Sequence, residues 1–82
     1  MSIELINWLK DGNYRIPILK LLENKNCLSS ELAKHFGVNR ASMSRILKVL
    51  EKKELVDSIS SGSRTVTYVI TKKGKDAIKG LP

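Results

Sequence analysis

Gly37-Val38-Asn39, set between two apolar-periodic segments, constrains the fold more than any other feature of the sequence. Upstream, Leu32, Ala33 and Phe36 form one face of a helix starting at Ser29, whose hydroxyl can cap the N–H groups of the next turn. Glu31 suits the positive end of that helix, and Leu28 ahead of the cap can staple against Ala33. Downstream, Met43, Ile46, Leu47 and Leu50 recur at i, i+3, i+4 and i+7, the period of a core-facing stripe. Gly37 is the left-handed stop expected after one helix and Asn39 a good cap for the next. Two helices are thus joined by a turn of about three residues.

The flanks extend this pair in both directions. Ile3, Leu5, Ile6, Trp8 and Leu9 predict a helix over 2–10, ended by the turn chemistry of Asp11-Gly12-Asn13. At 100° per residue, Leu5, Ile6, Trp8 and Leu9 span an arc of about 160°, wider than a helix needs to face one core. A second helix follows from about Tyr14 to Glu23, with Tyr14, Ile18, Leu21 and Leu22 on one face and Ile16 and Leu19 on another. Pro17 falls in its opening turn, where the missing N–H would go largely unpaired anyway. Cys27-Leu28 reads as a minimal strand. After the long helix, Leu55–Ile59 and the β-branched run Arg64–Ile70 read as strands around a Ser60-Ser61-Gly62-Ser63 loop. Thr71 then caps a short helix from Lys72 to about Lys79, closed by Gly80.

A chain of 82 residues is one domain, spanning 1–82, whose small core leaves little cover for apolar faces. Its formal charge of +7 is unevenly placed: residues 1–38 carry five basic and four acidic side chains, residues 39–82 ten and four. An electropositive second half suits a polyanionic partner, nucleic acid before others, against the plainer reading of a solubilising surface. One cysteine, Cys27, and one histidine, His35, are too few for a four-ligand zinc site or an intramolecular disulfide, so no metal and no cofactor is expected. Cys27 reads as a small buried hydrophobe. No long apolar run and no cleavable leader is seen, so the expectation is a cytoplasmic protein without membrane contact. No nucleophile with a paired base, no carboxylate dyad and no phosphate-cradling glycine loop points to an enzyme.

Helix, helix, short strand, helix, tight turn, helix, β-hairpin and short helix is the order of a winged helix-turn-helix domain, mainly α with a small β-hairpin wing. The residues agree. Ser29-Ser30-Glu31-Leu32-Ala33, Gly37-Val38, Ala41-Ser42-Met43-Ser44-Arg45 and Leu50-Glu51-Lys52-Lys53-Glu54-Leu55-Val56 resemble the corresponding stretch of MarR-like and ArsR-like transcriptional regulators. Ile70-Thr71-Lys72-Lys73-Gly74 is similar to the L-T-x-x-G sequence that follows their wing. Two departures stand out. Glu54 replaces the usual glycine at the close of the long helix, and the sequence ends at Pro82, short of the long C-terminal helix through which MarR-like proteins usually dimerise.

The resemblance implies a sequence-specific regulator that binds double-stranded DNA with the helix beginning at Arg40 in the major groove. Arg45 can bond a guanine edge in bidentate fashion, Ser42 and Ser44 can reach bases or phosphates, and Arg40 and Lys48 can grip the backbone. Ser30, Asn39 and Ala41 belong to the same implied DNA-binding set. Arg64, beside small residues, can enter a minor groove or hold a phosphate; an idle arginine on a hairpin is the plain alternative. Lys72, Lys73, Lys75 and Lys79 lie too far along the strand from the wing tip and read as solubilising charge. ArsR-like metal sensing requires clustered ligands that this chain lacks. A homodimer is expected through Leu5, Ile6, Trp8 and Leu9, with Ile78 and Leu81 assisting. The rival from another class is a winged-helix module that binds protein and not DNA. It requires acidic or apolar residues on the outer face of the long helix, where the sequence has Ala41, Arg45, Lys48 and Lys52.

Overall fold

The computed structural model describes residues 3–60 and 66–80. Five helices and three strands follow in order: α1 (Ile3–Asp11), α2 (Arg15–Asn24), β1 (Cys27–Leu28), α3 (Ser29–Phe36), α4 (Arg40–Lys52), β2 (Val56–Ser60), β3 (Val66–Ile70) and α5 (Lys72–Lys79). The strands form one antiparallel sheet in the order β1-β3-β2. Cys27 pairs with Tyr68 on one side of β3, and Ser58 pairs with the same Tyr68 on the other. The fold is mainly helical with a small β-hairpin, as the sequence predicts. Ser61, Gly62, Ser63, Arg64 and Leu81, to which the sequence gives roles, lie outside the described residues.

One core joins the elements. Leu9, Ile18, Leu19, Leu32, Met43, Leu47, Leu50, Leu55, Val56 and Ala77 are fully buried in it. Met43, Leu47 and Leu50 come from the stripe that the sequence spacing marks on α4, while Ile46 is half-buried at its edge. On α2, Ile18, Leu19 and Leu22 are all buried, so its two apolar faces share one interior. The reason is position: α2 packs against α1, β3 and α5 together.

The turn between α3 and α4 is built as its residues dictate. Gly37 is left-handed at φ 66°, and the Val38 N–H donates to the Ala33 carbonyl at 2.9 Å. The Asn39 side chain accepts from the Ser42 N–H at 2.8 Å, capping α4. Upstream the sequence reading needs correction. Leu28, not Ser29, is the N-cap of α3, and the Glu31 carboxylate reaches back to accept from the Leu28 N–H at 2.9 Å. Pairing of Cys27 and Leu28 with β3 fixes where the extended chain stops, and the helix therefore takes Ser29 as its first residue. The first strand of the hairpin is also shifted by one, to Val56–Ser60, because Leu55 is used in the turn that ends α4.

That second turn repeats the first without a glycine. Glu54 has φ 65°, the one positive φ among the described non-glycine residues, and the Leu55 N–H donates to the Leu50 carbonyl at 3.0 Å. A left-handed side-chain residue costs about 1–2 kcal/mol, offset here by the contacts that hold the turn. The Thr71 hydroxyl donates to the Glu54 carbonyl at 2.7 Å, the Thr71 N–H donates to the Leu55 carbonyl at 3.1 Å, and Leu55 is fully buried. Thr71 also accepts from the Gly74 N–H at 3.0 Å, so one residue caps α5 and fastens it to the end of α4.

Candidate nucleic-acid interface

The exposed side of α4 carries Arg40, Ala41, Arg45, Lys48 and Lys52, all on the surface. Ala41, Arg45, Lys48 and Lys52 fall within an arc of about 60° at 100° per residue, opposite the buried stripe. Ser42 and Ser44 flank this ridge and are half-buried. Asn39 is exposed at the helix start but its side-chain oxygen is committed to the cap. Ser30 sits half-buried in the first turn of α3, the helix across the turn. Seven of the expected contact residues, Asn39, Arg40, Ala41, Ser42, Ser44, Arg45 and Lys48, thus come together along one helix, with Ser30 on its partner. Arg45, Lys48 and Lys52 on a ridge that opens with a small alanine, with Arg40 at the helix start, can approach an anionic groove closely.

The α1–α2 turn adds a border that sequence reasoning misses. Gly12, Asn13, Tyr14 and Arg15 line one wall of a cleft of about 320 Å³ whose other wall is Arg45, Ile46 and Val49 of α4. Arg15 does not project freely there. Its guanidinium lies 3.8 Å from the Trp8 ring centre and donates to the Trp8 carbonyl, while Lys53 covers the same ring at 5.3 Å. No local pattern in the sequence announces these pairings, since they join α1, α2 and the residue that follows α4.

Residues expected at a dimer surface are placed unevenly. Leu9 is fully buried in the core of its own chain, which takes it off the outer arc of α1. Leu5 and Trp8 are half-buried and pack against that core, with Trp8 further covered by the two cations. Ile6 is half-buried, Ile3 is 76% exposed, and Ile78 packs partly on the core.

Burial pushes the Cys27 thiol pKa up, with Glu31 adding to the effect and Lys25 opposing it. Its S–H donates to the Lys25 carbonyl at 3.6 Å. Exposed His35 lies edge-on to Phe36. Among the described residues no group of three or more His, Cys, Asp or Glu side chains is placed to hold a metal ion, and no helix is long and apolar enough to cross a membrane.

Solved structures share this arrangement. The adhesin competence repressor AdcR of Streptococcus pyogenes superposes with a TM-score of 0.77 at 21% identity, covering 83% of this chain and 52% of its own. BldR, a transcriptional regulator of Sulfolobus solfataricus, gives 0.72 at 27% identity, covering 78% and 48%. A C30S mutant of Lactococcus lactis ZitR, solved in complex with DNA, gives 0.74 at 25% identity, covering 82% and 47%. This chain therefore spans about half the length of these regulators. No curated protein matches it. The match to a family runs over residues 16–64, from α2 through the tight turn and α4 into the hairpin, and by that match the chain belongs to the MarR family.

Proposed function

We propose that this chain is a sequence-specific regulator of transcription that binds duplex DNA, with α4 in the major groove. The observation that carries the proposal is the exposed ridge of Arg45, Lys48 and Lys52, with Arg40 at the helix start, behind the Asn39 cap and within the segment that matches the family. The ZitR structure with DNA supports the same reading. Arg45 is assigned to a base edge, Arg40 and Lys48 to phosphates, and Ser30, Asn39, Ala41, Ser42 and Ser44 to the surrounding contact surface. Arg64 is assigned to the wing from the sequence alone. The protein acts in the cytoplasm, with no catalytic role and no cofactor. An interaction module of the same fold is disfavoured by the lack of acidic or apolar side chains on that ridge.

Binding should be strongly salt-dependent, because each neutralised phosphate contributes about −0.9 to the slope of log K against log salt. Two phosphate contacts per chain predict a slope of about −1.8 or steeper in fluorescence anisotropy with a labelled duplex. A flat response would overturn the proposal.

The working form is a homodimer joined through α1, because Ile3 and Ile6 keep apolar surface outside the core. Pairing would set two α4 helices about 34 Å apart, on successive major grooves. Sedimentation equilibrium should give about twice 9.2 kDa, falling to a single chain on Ile6→Glu with helicity retained. A wild-type mass of one chain would refute it.

A further inference from the structure

Strand β2 enters the core only at its first residue. Of its five residues only Val56 is buried, and Ile59 is 53% exposed on the outer face. Strand alternation turns Val56, Ser58 and Ser60 toward one face, the face that Tyr68 shares through its pairing with Ser58. Ser58 itself is exposed. Its hydroxyl donates to Glu51 Oε2 at 2.6 Å. Glu51 is the only acidic residue of α4, half-buried one residue before the helix ends. Burial raises the Tyr68 phenol pKa, and the Glu51 charge adds to the effect.

We infer that Glu51 is a positioning residue for DNA binding: by holding Ser58, it fixes the angle between the groove-reading helix α4 and the β2–β3 hairpin. A carboxylate on a DNA-facing helix lowers affinity for a polyanion by its charge alone, so the hydrogen bond gives the acid a reason to be there. Short hydrogen bonds to a carboxylate are directional and stronger than neutral ones, which suits a joint that must hold an angle. Val56 and Tyr68 in the core and the pairing of β3 with β1 seat the base of the hairpin, and the bond from Ser58 ties β2 to α4 one step farther out, beyond the last buried residue of that strand. The inference rests on the DNA-binding reading and concerns how far apart along a duplex the helix and the hairpin make their contacts.

The test uses the full chain and a duplex selected by the wild type from random sequence. Hydroxyl-radical footprints and salt-dependent affinities are compared for wild type, Glu51→Ala, Ser58→Ala, the double variant and Glu51→Gln. The two alanine variants should each bind about tenfold more weakly. They should lose protection at the flanks of the footprint and keep it at the centre, and the salt slope should become shallower by about 0.9 for the lost hairpin phosphate. The double variant should bind as weakly as either single one, since both remove the same bond. Glu51→Gln keeps an acceptor for the hydroxyl while losing the charge and should retain the flanking protection. Tighter binding by Glu51→Ala and Glu51→Gln alike would reveal a purely electrostatic role and overturn the inference. So would uniform loss of protection in step with a fall in melting temperature. If the wild type selects no duplex, the DNA-binding reading fails first and the inference with it.

Discussion

Replacing Gly74 by alanine is expected to destabilise the fold by about 3 kcal/mol, a large part of the roughly 4–12 kcal/mol available to a chain of this size. Gly74 is buried in the first turn of α5, and a Cβ there would meet the Leu55 carbonyl oxygen at 2.3 Å and Ile70 Cγ1 at 2.8 Å. The oxygen cannot step aside cheaply. It accepts from the Thr71 N–H, and the Leu55 amide is itself bonded to Leu50. Either α5 lifts from the turn, breaking the Thr71 hydroxyl bond to Glu54, or the left-handed turn distorts. Urea unfolding should give a lower midpoint with an unchanged slope. Gly12→Ala is the milder comparison: the atoms nearest its new methyl all belong to the Arg15 side chain, which can shift at the expense of its contacts with Trp8, so the loss should stay below that of Gly74→Ala. Equal stability of Gly74→Ala and wild type would mean that α5 is not seated against Leu55.

Removing the three cations of α4 assigned to DNA should have the largest effect on binding. The variant Arg40→Ala, Arg45→Ala, Lys48→Ala should bind its preferred duplex roughly 100-fold or more weakly, from about 1 kcal/mol for each phosphate contact and 1–3 kcal/mol for a bidentate base contact. Stability should hold or rise slightly, because all three side chains are exposed and alanine is the best helix former. The single variants separate the roles. Arg45→Ala should relax the preference at one base pair, whereas Lys48→Ala should weaken all duplexes alike and make the salt slope shallower by about 0.9. If both weaken every duplex equally, Arg45 holds backbone. If the triple variant binds as well as wild type, the interface lies elsewhere on the molecule.

Much of this was legible wherever a single residue decides the local backbone. Gly37, Asn39 and Thr71 each announce a turn or a cap through their own chemistry, and each is found in that role. The buried stripe of α4 follows from spacing alone. What escapes such reading depends on partners distant in sequence. Glu54 carries no signal for a left-handed conformation, which is imposed by Leu55 entering the core and by Thr71 from seventeen residues away. Ser29 looks like a better cap than Leu28, yet pairing with β3 decides the boundary. Leu9 lies on a wide apolar arc whose division between core and surface only the packing of α2 and its neighbours settles. The ridge residues could be named from the sequence, while the cleft beside Arg45 and the bond from Ser58 to Glu51 could not.

The two-residue strand β1 has a larger role than its length suggests. It joins β3 at Cys27 and Leu28, so α3, its turn and α4 lie inside a loop of chain whose ends are pinned side by side in the sheet. Closing a loop of about forty residues costs on the order of 3 kcal/mol in chain entropy from its length alone. That cost is met once, when the sheet forms, and the helix pair and the hairpin then share it. The two parts assigned to DNA are therefore a single cooperative unit: neither can melt from the other without reopening the loop. Partial opening is left to α1, which lies outside the pinned loop.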